Sequence, residues 1–143
     1  MATPMTDEER RAFLMDGTRT GKLATTRRDG SPHVTPVWFV LDGDAVIFTT
    51  HESSLKGKSL LRDGRVSMVV DDQAPPYSFV MVTGTATLSR DIDALVAWAT
   101  KIGARYMGAE RAEEFGRRNG VDGELLVRVT PTKTIALAAV SGY

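Results

Sequence analysis

Two Asp-Gly pairs, Asp29-Gly30 and Asp42-Gly43, each stand between extended runs rich in apolar and β-branched residues. That arrangement is the short-range signature of β-hairpins. Residues 21–26, 33–41 and 45–50 therefore read as three strands of an antiparallel meander. Pro36 lacks a backbone N–H, so its strand is expected to face a sheet edge, a bulge or an opening at that point. Residues 65–70, 77–88, 125–129 and 134–140 supply four more extended runs. A loop over 71–76 precedes the second of them, and Gly84 within it marks a bend or bulge. About seven strands with short turns need closure to remove their edges, which predicts a mainly β chain folded as a six- to seven-stranded antiparallel barrel.

Helices fall in a few excursions rather than alternating singly with strands, so a doubly wound α/β fold does not fit. Thr6-Asp7-Glu8-Glu9 has the form of a capping box and predicts a helix to about Met15. Residues 53–63 read as a short helix capped by Ser53 or Ser54 and ended by Asp63-Gly64. A third helix runs from Ser89 or Arg90 to about Met107, with Ile92, Leu95, Val96, Ala99 and Ile102 on its apolar face. A more charged fourth covers 110–118 and ends at Asn119-Gly120. With 143 residues, 42% of them hydrophobic and 25% charged, the chain reads as one domain over 1–143, with residues 1–5 and the last few residues expected to be flexible.

The 18 basic and 18 acidic side chains cancel, which removes the positive field that draws proteins to nucleic acid. No cysteine is present, so disulfides, thiolate metal sites and cysteine nucleophiles are excluded together. His33 and His51 are the only histidines, too few for a zinc site without cysteine. No stretch approaches the roughly 18 apolar residues of a membrane span, and the polar, acidic start of the chain has no leader-like apolar core. A cytoplasmic location is the expectation. Hydrolase elbows, dinucleotide-binding glycine turns and P-loops are all missing.

The segment with most chemical content is Ser53-Ser54-Leu55-Lys56-Gly57-Lys58-Ser59. Two lysines in the first turn of a helix oppose its macrodipole, a conflict of a few tenths of a kcal/mol that a bound anion would remove. Helix amides, the hydroxyls of Ser53, Ser54 and Ser59, and the ammonium groups of Lys56 and Lys58 would together cradle a phosphate. An isolated Lys-x-Lys is otherwise an ordinary solvated face. The second candidate is His33-Val34-Thr35-Pro36-Val37-Trp38-Phe39, whose aromatics beside a proline can line a flat cavity or simply fill a barrel core. Thr49 and Thr50 end the third strand within reach of that rim.

Taken in order, Gly21-Lys22-Leu23-Ala24-Thr25-Thr26, Asp29-Gly30-Ser31-Pro32-His33, Pro36-Val37-Trp38-Phe39, Lys56-Gly57-Lys58-Ser59-Leu60, Arg65-Val66-Ser67 and Val82-Thr83-Gly84-Thr85-Ala86 resemble the pyridoxamine 5'-phosphate oxidase-like split barrels. Within them the chain looks most like the small actinobacterial branch that uses the deazaflavin coenzyme F420, rather than the branch that uses flavin mononucleotide (FMN). The resemblance implies a homodimer with cofactors in grooves between the subunits. It places Ser54, Lys56 and Lys58 on the phosphate, and Pro36, Val37, Trp38, Thr49 and Thr50 around the ring. Tyr77 and Phe79 would approach from the partner chain. Relatives often carry an arginine and an asparagine where this chain has Lys58 and Ser59, so the cationic character of the site carries over rather than its individual contacts.

The function implied is hydride transfer from reduced F420 to an unsaturated small-molecule acceptor such as an enone, quinone or tetrapyrrole. An FMN-dependent oxidase or flavin reductase, and a non-catalytic cofactor carrier, are the alternatives. No side chain stands out as catalytic. A proton for the product would come from water, ahead of Tyr77 or His51.

Overall fold

The computed structural model describes residues 2–142. Strands β1 (Thr3–Pro4), β2 (Gly21–Thr26), β3 (Pro32–Val37), β4 (Val40–Asp42), β5 (Ala45–His51), β6 (Arg65–Asp71), β7 (Phe79–Ser89) and β8 (Glu124–Ala138) form one sheet. Its hydrogen-bonded path is β3-β2-β6-β7-β8-β5-β4, antiparallel throughout, with β1 paired to β8 off the path. Helices α1 (Asp7–Met15), α2 (Leu55–Arg62), α3 (Ile92–Met107) and α4 (Ala112–Asn119) flank it, and a 3-10 turn at Ala109–Arg111 leads into α4.

The two ends of that path, β3 and β4, are consecutive in sequence and joined only by Trp38 and Phe39. Three Cα steps reach about 11 Å. Seven strands laid flat would put the end strands roughly 29 Å apart. The sheet therefore has to curl until its ends meet, which makes it a split barrel: closed by the chain rather than by a ladder.

The sequence reads residues 33–41 as one strand, and the structure divides it at this link. The reason lies in where the backbone groups of Phe39 go. Its N–H donates to the Tyr106 hydroxyl at 3.2 Å, and its carbonyl accepts from Arg105 at 2.6 Å. Arg105 also donates to the carbonyls of Leu14 (2.7 Å) and Gly17 (3.0 Å), while the Tyr106 hydroxyl donates to Arg19 O at 2.8 Å. The C-terminal turn of α3 thus satisfies the backbone that no neighbouring strand reaches. Burial pushes the Arg105 guanidinium down and the Tyr106 phenol up from their ordinary ranges.

A second difference is at the C-terminal end, where the runs 125–129 and 134–140 belong to one continuous strand, β8. The register against β7 shifts between Thr83↔Lys133 and Gly84↔Pro131, leaving Thr132 as the extra residue of a bulge. Gly84 is required there because a Cβ would stand 2.3 Å from Thr130 O. Gly84, read as a bend or bulge, sits at the bulge, and the proline-bearing strand continues through it. Thr3–Pro4, in the segment expected to be flexible, pairs with Ala138 and Leu137, and Met5 N–H donates to Ala136 O at 2.9 Å. For Met1 and Tyr143 the same expectation lies outside the described residues.

Inward-facing residues of the barrel, among them Leu23, Phe39, Phe48, Val70, Val80, Leu125 and Val127, form the main core. A second cluster, Val40, Ile47, Leu95, Ile102 and Leu126, seats α3 on the outside of β4, β5 and β8. Glycines let α4 close on α3: a Cβ at Gly103 would meet Phe115, and one at Gly116 would meet Thr100. The capping box of α1 is present, with Glu9 N–H on Thr6 Oγ1 (3.1 Å) and Thr6 N–H on Glu9 Oε1 (3.0 Å). Among the described residues no helix is long and apolar enough to cross a membrane.

Arg105→Ala would strip charge-assisted bonds from three carbonyls at the seam, and a loss of about 3 kcal/mol in urea unfolding is expected. A loss below about 0.5 kcal/mol would show that the link holds without it.

Candidate functional site

The site is built where β5 hands the chain to α2. Ser54 is the N-cap: its hydroxyl accepts from Gly57 N–H at 2.9 Å, donates to His51 O at 2.8 Å and lies 3.1 Å from the Thr50 hydroxyl. An α-helix leaves its first-turn amides without intrahelical partners; with Gly57 capped, those of Leu55 and Lys56 are the ones open to an anion. Gly57 fixes how closely the helix sits, since a Cβ there would stand 2.2 Å from His51 O. The glycine between the two lysines is therefore a packing requirement, and it presses the helix N-terminus against the end of β5.

Lys56 and Lys58 part company. Two helical positions apart means about 200° around the axis. Lys56 turns toward β3 and is half-buried, its Nζ 3.4 Å from Thr35 Oγ1. Among the described residues no carboxylate lies within 4 Å of it. Burial lowers its pKa from the ordinary lysine value. Lys58 is exposed and faces the other way, where it lines a surface cleft of about 480 Å³ with Arg28 and Arg62. Ser59 is fully buried with its hydroxyl unpartnered. Ser53 turns its hydroxyl to His51 Nδ1 at 2.7 Å.

Strand alternation sorts the expected ring-binding residues onto different faces. Register places Thr35 opposite Leu23 and His33 opposite Thr25, all on the inner face, together with buried Val37. Pro36 is exposed on the outer face opposite Lys22. Thr50 points inward, whereas Thr49 pairs with Leu126 on the side that α3 covers. Trp38, in the link, is 39% exposed and stacks on Tyr106 with centroids 5.1 Å apart and 6° between planes. The side chains of Pro36, Val37, Trp38, Thr49 and Thr50 do not converge on one wall. Pro36 and Val37 belong to β3, a strand at the end of the sheet path with one ladder only, and Trp38 follows them in the link, whereas Thr49 and Thr50 end β5 between β8 and β4.

Tyr77 and Phe79 stand on another part of the surface. With Lys22, Val69, Asp71 and Val140 they line an open cleft of about 690 Å³ on the outer sheet face. Lys22 donates to Asp71 there at 3.3 Å. Tyr77 follows a cis Pro75-Pro76 bond and has φ 66°, a left-handed conformation rarely adopted by a bulky residue. The outer rows continue across the sheet as Lys22, Val69, Met81 and Ile135, and as Asp71, Phe79 and Leu137. The part of the surface that α3 covers is another one, at Val40, Ile47 and Leu126.

The sequence places Thr35 and His33 in the second candidate segment but does not pair Thr35 with Lys56, the contact that the structure makes. The buried Nδ1 of His33 has no hydrogen-bond partner. Their signal was available in the alternation of β3, which puts both on the face of Leu23. Among the described residues no group of three or more His, Asp or Glu is placed to hold a metal ion.

The sequence profile of the pyridoxamine 5'-phosphate oxidase family matches residues 6–137. A conserved hypothetical protein from Mycobacterium tuberculosis is 28% identical, with a TM-score of 0.83 over 96% of this chain and 87% of the other. An F420 reductase is 27% identical, with a TM-score of 0.67 over 86% of this chain and 94% of that one. The heme storage protein HutZ from Vibrio cholerae, at 17% identity, shares the fold with a TM-score of 0.71, over 89% of this chain and 91% of its own. Among curated proteins none matches. The profile match over most of the chain and the likeness of the folds agree, and the chain belongs to the pyridoxamine 5'-phosphate oxidase family of split barrels.

Proposed function

We propose that this protein is an F420-dependent oxidoreductase, working as a homodimer and passing a hydride from the reduced deazaflavin to an unsaturated small-molecule acceptor. The observation that carries this reading is Lys56: a half-buried ammonium with a distant hydroxyl and no carboxylate beside it, directly at a helix N-terminus. An uncompensated cation in such a place is unfavourable until an anion arrives. The likeness to an F420 reductase over most of both chains supports the choice of cofactor.

Lys56, the amides of Leu55 and Lys56, and the Thr35 hydroxyl would hold the phosphate. The free edge of β3 around Pro36 and Val37 would offer backbone groups to the ring. Bound F420 would supply the hydride chemistry at its deazaflavin ring, leaving the protein to bind, orient and exclude water. The half-exposed rows of the outer sheet face, with Val34 60% and Tyr77 46% exposed, are the surface a second copy would cover. That copy would contribute Tyr77 and Phe79 to its neighbour's groove. The family match also supports an FMN-dependent oxidase or reductase, because the same phosphate site suits either cofactor. Protein that purifies yellow and releases FMN on denaturation would decide for it.

Three outcomes test this reading. Lys56→Glu is expected to weaken F420 binding, followed by fluorescence titration, by about 10- to 100-fold, and Lys58→Glu by less than about threefold. Equal effects would return both lysines to one solvated face. Since the folded pKa of Lys56 is lowered, its ammonium is lost as pH rises through that value, before an ordinary lysine would titrate. Affinity should fall on that alkaline limb, and Lys56→Arg, which stays protonated, should abolish the fall. In sedimentation at micromolar concentration the chain should run at twice its monomer mass and Met81→Arg at the monomer mass; a monomeric wild type would remove the shared groove.

A further inference from the structure

The turn that carries the chain from β5 into α2 is organised by one residue. Ser53 N–H donates to His51 Nδ1 at 3.0 Å, and the Ser53 hydroxyl reaches the same nitrogen at 2.7 Å. Ser54 N–H (3.1 Å) and the Ser54 hydroxyl (2.8 Å) both donate to His51 O. Beyond these, Glu52 N–H is tied to Gly123 O at 2.9 Å. A backbone N–H can only donate, so His51 Nδ1 has to carry a lone pair and the ring has to be neutral, with its proton on Nε2.

We propose that neutral His51 is a positioning residue for the anion site, holding the turn over residues 52–54 that aims the first-turn amides of α2, and that protonation of its ring releases this turn. The inference rests on the anion-site reading above. A proton on Nδ1 would set a donor against the Ser53 amide and leave that amide without its partner. The next residue, Ser54, caps Gly57 and touches Thr50, so the first turn of α2 is one hydrogen bond away from the ring.

Two carboxylates stand near the ring: Glu124, opposite His51 in the β5–β8 register with its own carboxyl held above the usual range by burial, and Glu52, the next residue in the chain. Arg118 acts on Glu124 from α4, and Glu52 is paired with Arg90 ahead of α3. A protonated ring would also bring positive charge toward a bound anion. His51 is exposed, so that attraction is screened, while the broken hydrogen bond acts locally. Acid should therefore weaken anion binding rather than strengthen it.

The test compares wild type with His51→Asn, whose amide oxygen keeps an acceptor near the position of Nδ1 but does not titrate, and with His51→Ala, which has none. Titrations with F420 run from about pH 8 to about pH 5, the range in which histidine changes charge. Wild-type affinity is expected to fall about fivefold further than that of His51→Asn, and His51→Ala to be about fivefold weaker already at about pH 8. Ligand-free NMR supplies the independent arm: the amide shifts of Ser53 and Leu55 should follow the His51 ring titration in wild type and stay still in His51→Asn. If the ring titrates while those amides do not move, or if acid strengthens binding, the positioning role is overturned and the anion site stands. If the amides move but neither F420 nor FMN binds at any pH, the anion-site reading fails and takes the positioning role with it.

Discussion

The two residues between β3 and β4 dictate the rest of the molecule. Because Trp38 and Phe39 must join the first and last strands of a seven-strand path, the sheet has no flat solution, and its hydrophobic face becomes an interior. The junction cannot be stitched by a ladder, since both strands there are path ends. Arg105 and Tyr106 from α3 take over, donating to or accepting from Phe39, Leu14, Gly17 and Arg19. A helix that looks like a decoration on the outside of the sheet is thus a fastening for it.

Curling the sheet also makes the site. It brings Thr35, on the inner face of β3, up to the helix that leaves β5, although 21 positions separate Thr35 from Lys56. Gly57 then sets the approach, because any larger residue would collide with His51 O. The result is a cation sunk between a helix start and an end strand, beside amides that point the same way. Every part of that arrangement favours negative charge.

Much of this was legible in the chain. Asp29-Gly30 and Asp42-Gly43 placed the first hairpins, Thr6 and Glu9 the first helix cap, and Gly84 the bulge, because each rests on local backbone chemistry. What was not legible depends on distant partners. The break at Trp38 and Phe39 is invisible in an apolar run, since it is Arg105 and Tyr106 that satisfy the backbone there. The continuity of β8 through Pro131 depends on Gly84 in another strand. The lysine pair was seen as a unit because both sit in the first turn, yet helical geometry sends Lys56 to β3 and Lys58 to Arg28 and Arg62. Family resemblance supplied the barrel; it did not supply that asymmetry.

The most direct test is a crystal structure of the protein grown with F420. The expected result is phosphate density within hydrogen-bond distance of Lys56 Nζ and the Leu55 and Lys56 amides, with Lys58 still turned outward. Phosphate held by Lys58, Arg28 and Arg62 instead, with Lys56 left against Thr35, would contradict the account.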